Sequence, residues 1–183
     1  MQLRSEVQLA SMMKAMTDVV IPAIDAKNDL AIQQAHLIVG MLNLMAHQLP
    51  MQFRFDRDEL QRLVKSAEGL SLLSSKDSAV SAAVEQLAAS CDAAVNVLKH
   101  CVMDPAELVA SVKTMREATS MLMVAASRSD DKAAFAAVEQ AVLALSKEQL
   151  LRDRSLLLVQ GWEPDPSAIP PIEKLLGSAP VSA

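Results

Sequence analysis

The sequence predicts an all-α fold: a single-domain antiparallel bundle of about six helices with a Pro-rich C-terminal tail. Three observations carry this expectation. Of the 183 residues only 4 are glycine, 2% are aromatic and none is tyrosine, whereas strands lean on aromatic and β-branched residues and on glycine turns. Apolar residues recur at steps of three and four in several long windows, the period of a helix with one covered face. Between those windows lie short polar stretches with helix-start and helix-stop chemistry.

The most apolar window is 28–49, NDLAIQQAHLIVGMLNLMAHQL. On a helical wheel Ile32, Ala35, Ile38, Val39, Met41, Leu42, Met45 and Ala46 cover one broad face. Gln33, His36, Gly40, Asn43 and His47 fall on the other, in an arc of roughly 80°. So narrow a polar strip predicts a helix covered on most sides, the central helix of the bundle.

The remaining elements follow in order. A first helix over 2–20 carries Val7, Ala10, Met13 and Val20 along one side, and Pro22 ends or kinks it because proline lacks an N–H and clashes one turn back. Asn28 is a suitable N-cap for the central helix, with Asp29 at its positive end. Residues 51–55 are expected to be a connector. Asp56, with Glu59 three positions on, has capping spacing. It opens a third helix to about residue 73, with Leu60, Leu63, Val64, Ala67 and Leu70 inward and Arg57, Asp58, Arg62, Lys65 and Glu68 in water. The fourth helix, 78–102, shows a narrow bundle-type seam of Val80, Val84, Leu87, Cys91, Val95, Leu98 and Val102. Asp104, Pro105 and Glu107 mark the start of a fifth, through Leu108, Val112, Met115, Leu122 and Ala125. The sixth runs over 132–160 with Gly161 as its cap, although Ser146 and Gln149 also have the spacing of a restart. These helices make up a domain of residues 1–161. The tail, 162–183, opens on WEPDPSAIPP, which is extended or turned, with one helical turn expected near 171–176 and Gly177 stopping it. No internal repeat is evident.

Composition narrows the function classes. A net charge of −5 without a Lys/Arg cluster argues against a nucleic-acid surface. The central window carries too many Gln, His and Asn residues for a membrane span. Residues 1–16 lack the compact apolar region of a secretory signal, and two cysteines are too few for a disulfide scaffold, so a cytoplasmic setting is expected.

The strip of Gln33, His36, Gly40, Asn43 and His47 is the best candidate for a ligand groove; its alternative is a solvent-facing strip. His36 and His47 lie about 16 Å apart along a helix, too far to share one metal ion. Gly40 suits close helix contact first and ligand approach second. Cys91, His100 and Cys101 show no metal-ligand spacing, and a nucleophilic cysteine would need a base brought by the fold. Asp56, Asp58, Glu59, Asp104, Glu107, Asp130 and Asp131 fall mostly at expected helix starts, where dipole and capping account for them. No phosphate loop is present, since no two glycines lie close together. Neither a catalytic residue nor a metal or cofactor is assigned. Met12, Met13 and Met16 are either core or a soft binding surface.

Pro22-Ala23-Ile24, followed by the apolar helix, resembles uncharacterised all-helical bacterial proteins, some of which accompany acyl-CoA dehydrogenases and phosphotransferase-like kinases. The likeness covers about a third of the chain and implies an accessory role in acyl-CoA metabolism without assigning a functional residue. The leading expectation is a non-enzymatic module that self-associates or binds a protein partner, as a homodimer using the first helix, the sixth or both. Met12, Met13, Met16, Val19, Val20 and Ile21, and later Leu150, Leu151, Leu156, Leu157, Leu158 and Val159, offer more apolar surface than one core contact needs. The alternative is a small-molecule-binding bundle with its pocket near the central helix.

Overall fold

The computed structural model describes residues 4–99 and 104–176; His100, Cys101, Val102 and Gly177 lie outside them. The described residues are helical and contain no strand. The helices are α1 (Ser5–Ala15), continued by a π turn (Met16–Val20) and by Ile21–Ala23, then α2 (Asp29–Gln48), α3 (Gln52–Leu70), α4 (Ser78–Lys99), α5 (Pro105–Arg128), α6 (Lys132–Leu157) and a last short turn α7 (Ile172–Leu175). They form two compact units. One is the chain up to Gln52 with Arg154–Ile172; the other is Phe53–Asp153 with the chain from Glu173.

The second unit holds the main core. Leu60, Leu63, Val64, Ala67 and Leu70 of α3 are buried with Val80, Val84, Leu87 and Cys91 of α4, Leu108, Val112, Met115 and Leu122 of α5, and Val138 of α6. Leu60, Leu87, Leu108, Met115 and Leu122 are fully enclosed, and burying each such side chain contributes roughly 1.5–3 kcal/mol. Small residues at Ser90, Ala94, Ala118 and Ala126 are buried on α4 and α5, which suits the close packing of this helix pair. Bonds between α3 and α6 set their direction. Asp58, early in α3, meets Arg152, late in α6, while Ser75, just after α3, reaches Asp131, just before α6. The two helices therefore run antiparallel.

Two expectations for α3 are corrected. The segment 51–55 is not a connector: Leu49–Met51 forms a 3-10 turn and α3 begins at Gln52. Asp56 and Glu59 therefore lie within the helix rather than at its start. Nor are Arg57, Asp58 and Arg62 a solvated side. Asp58 is buried and the two arginines are half-buried; Asp58 and Arg62 are paired to each other and Asp58 also to Arg152. A polar stripe in sequence looks the same whether water or a counter-charge satisfies it.

In the first unit α1 packs on α2. The first helix ends at Ala23, one residue past Pro22, as expected, and Ile24 is extended. Proline offers no N–H to the carbonyl one turn back, and the helix widens instead, with the Ile21 N–H donating to the Met16 carbonyl five residues earlier. Asn28 caps α2, its side-chain oxygen accepting from the Ala31 N–H at 3.1 Å. Gly161 takes the left-handed conformation, φ 69°, that ends a helix at least cost in glycine.

The expectation of a central, covered helix is overturned. On α2 only Ala35 and Leu44 are buried. Leu30, Leu37, Ile38, Met41 and Met45 are between 47% and 67% exposed. The apolar period is real, but periodicity reports a face that avoids water and not the partner that covers it.

Candidate functional site

Two corners of the second unit are built by the same local chemistry. Asp77 accepts from the N–H groups of Ala79 and Val80 and so caps α4. Asp131 accepts from Ala134 N–H and caps α6. Each Asp N–H donates to the serine two residues before it, Asp77 to Ser75 Oγ and Asp131 to Ser129 Oγ. The serines then cross over: Ser75 Oγ donates to Asp131 Oδ2 at 2.7 Å, and the Ser129 hydroxyl bonds Asp77. Backbone N–H and serine donors hold both carboxyls below their ordinary range.

The reciprocity exposes an internal repeat that contradicts the expectation of none. SKDSAVSAAVEQ at 75–86 and SDDKAAFAAVEQ at 129–140 share eight of twelve residues, and Val80 and Val84 are buried as Ala134 and Val138 are. Both windows are dominated by Ala and short polar residues, so the match is masked by ordinary helix composition.

Away from those corners lies a cluster of opposed charges. Asp58 Oδ2 accepts from Arg62 Nε at 2.9 Å and from Arg152 Nε at 2.7 Å. Arg62 also donates to Gln149 Oε1, and Gln149 Nε2 donates to Asp153. Arg152 Nη2 reaches the Leu175 carbonyl at 3.0 Å. Beside this network Glu59, 4% exposed, pairs with Arg116 of α5. Burial, and more weakly the neighbouring Asp56, pushes the Glu59 carboxyl above its usual range, against the lowering effect of Arg116 and Arg62. Glu59, Arg62 and Arg116 line a cleft of about 430 Å³ whose apolar wall includes Val142, Leu145 and Leu150 of α6. The sequence places Glu59 in a capping turn and Asp58 on a solvated side. The one local signal was Asp58 and Arg62 at i,i+4 spacing; Arg116 and Arg152 are brought to them only by the fold.

The candidate strip on α2 is placed differently along its length. Gln33, His36 and His47 are exposed, while Gly40 and Asn43 are half-buried. The Gly40 carbonyl accepts from Gln160 Nε2 at 2.9 Å, and a Cβ at Gly40 would stand 3.3 Å from Gln160 Oε1. Close approach is thus what this glycine permits. The cleft of the first unit, about 410 Å³, is lined by Leu9 and Met12 of α1 and by Met45 and Leu49 at the end of α2 and beyond, not by the five strip residues. Cys91 is buried, donates to the Val64 carbonyl at 3.8 Å, and has its thiol pushed up by burial. That is the state of an unreactive thiol. Among the described residues no group of three His, Cys, Asp or Glu is placed to hold a metal ion, and no helix is long and apolar enough to cross a membrane. Comparison with protein-family models, with curated proteins and with solved structures finds no match for this chain.

Proposed function

We propose that the protein is a non-enzymatic helical module that pairs with a second copy of itself through the α1–α2 face of its first unit. The observation behind this reading is the uncovered stripe of α2. Leu30, Leu37, Ile38, Met41 and Met45 are exposed on one helix, and Met12, Val19 and Val20 of the preceding segment are exposed as well. Leu49, just past the end of α2, is exposed as well. A second α1–α2 pair has the same unmet face, and two-fold pairing of one patch with itself is the commonest closed solution. No charged side chain interrupts α2 between Asp29 and Gln48, so a symmetric contact there juxtaposes no like charges. A cytoplasmic homodimer accompanying acyl-CoA enzymes is in keeping with a module that assembles rather than reacts.

Sedimentation equilibrium tests this. The expected species at micromolar concentration has twice the chain mass of 19.7 kDa, and Leu37→Lys with Met41→Lys yields monomer of unchanged far-ultraviolet circular dichroism. A wild-type monomer at tens of micromolar rejects the proposal. A second reading draws on the cleft between Leu9, Met12, Met45 and Leu49, which suits an apolar small molecule. Native mass spectrometry of the protein as purified separates the two, since a retained ligand on a monomer favours the second.

A further inference from the structure

We propose that the cleft of the second unit binds an amphipathic monoammonium compound, its charge on Glu59 and its apolar body along Val142, Leu145 and Leu150. This site is independent of the self-association surface and lies in the other unit.

The geometry is that of an under-compensated buried carboxylate. Glu59 is 4% exposed, and among the described residues Arg116 pairs with it, directing both Nε and Nη2 to the same oxygen, Oε1. Arg116 is itself 56% exposed, so water competes for the contact and holds it weakly. Arg62, the other cation of the cleft, is committed to Asp58 and Gln149. Burial, with Asp56 nearby, disfavours the Glu59 anion despite both arginines, so a cation that reaches the carboxylate from the cleft is favoured there. An anion is poorly served here. Both guanidinium groups already serve carboxylates, the Thr119 hydroxyl donates to its own helix at the Met115 carbonyl, and Asp153 adds a second negative charge to the lining. The wall explains the apolar body. Leu150 is 57% exposed, although it lies beside an ion-pair cluster, and the cleft volume of about 430 Å³ falls in the range of small-molecule sites. Binding displaces the Arg116 guanidinium into solvent, to which its side chain is already 56% exposed.

Titration calorimetry with three matched probes, 3-phenylpropylammonium, 3-phenylpropanol and 3-phenylpropanoate, tests the site at neutral pH. The ammonium compound should saturate one site per chain, at least about tenfold more tightly than the alcohol. Glu59→Gln should abolish that difference, and Arg116→Ala, which removes the competing cation, should tighten the ammonium probe about threefold or more. Should Glu59→Gln fail to fold, judged by circular dichroism, the Arg116→Ala result and the ammonium-over-alcohol ratio of the wild type decide. Equal binding of ammonium and alcohol overturns the proposal. So does preferential binding of the carboxylate that is lost in Arg116→Ala, which would make the cleft an anion site, and so does the absence of saturable binding by any probe up to about 1 mM.

Discussion

Glu59 and Asp131 show how little a carboxylate's identity says about its role. Asp131 is held in its ionised form by helix N–H donors and a serine, as expected from its place before an apolar run. Glu59 is disfavoured as an anion by burial. For Glu59 the folded chain binds a proton more readily than the unfolded chain. Its contribution to stability is therefore largest below the ordinary value of 4.5 and falls as pH rises through the folded-state value. Glu59→Gln should remove that fall, so that chemical denaturation shows the variant gaining on the wild type as pH rises from about 4.5 toward neutrality. A constant offset across that interval would mean that Glu59 titrates as it does in water. At enclosed positions the expectation is simpler. Leu60→Ala should cost roughly 2–5 kcal/mol and Lys65→Ala less than about 0.5 kcal/mol. Leu42 was expected inside a covered helix but is only half-buried, so Leu42→Ala should fall between them. Urea titrations of the three variants give that order or refute it.

Individual helices were largely legible because their ends carry local chemistry. Asn28, Asp104 with Pro105, and Gly161 each mark a boundary that the backbone obeys, and Val80, Val84, Leu87 and Cys91 are buried as their spacing requires. The start of α3 was not legible. Two Phe residues and Pro50 resemble a connector, yet Pro50 sits inside a 3-10 turn, where its missing N–H costs little. The crossed Ser-x-Asp corners were equally hidden, since each half reads as an ordinary cap and only their pairing is informative. That pairing yields a further expectation. Ser75→Ala and Asp131→Ala remove two ends of one bond, so the double variant should lower the thermal midpoint by less than the sum of the single variants. Strict additivity in calorimetry would show that the crossing contributes nothing beyond two separate caps.

At the scale of the whole molecule the two units differ in how completely they are closed. The second encloses Leu60, Leu87, Leu108, Met115 and Leu122 in one cluster, whereas α1 and α2 of the first bury Leu9, Ala35 and Leu44. No wheel drawn on the sequence could show this, because α2 is the more apolar helix and still the less covered. Opening free energy tracks buried apolar contact, so native-state hydrogen exchange should find α2 amides less protected than those of α4 and α5 in dilute protein. If a second copy covers α2, opening there first requires dissociation, and the open fraction falls as the square root of dimer concentration. A tenfold rise in protein concentration should then slow exchange in α2 about threefold and leave α4 and α5 unchanged. Uniform, concentration-independent exchange along the chain would remove the need for a second copy and leave the exposed stripe as a permanent part of the protein surface.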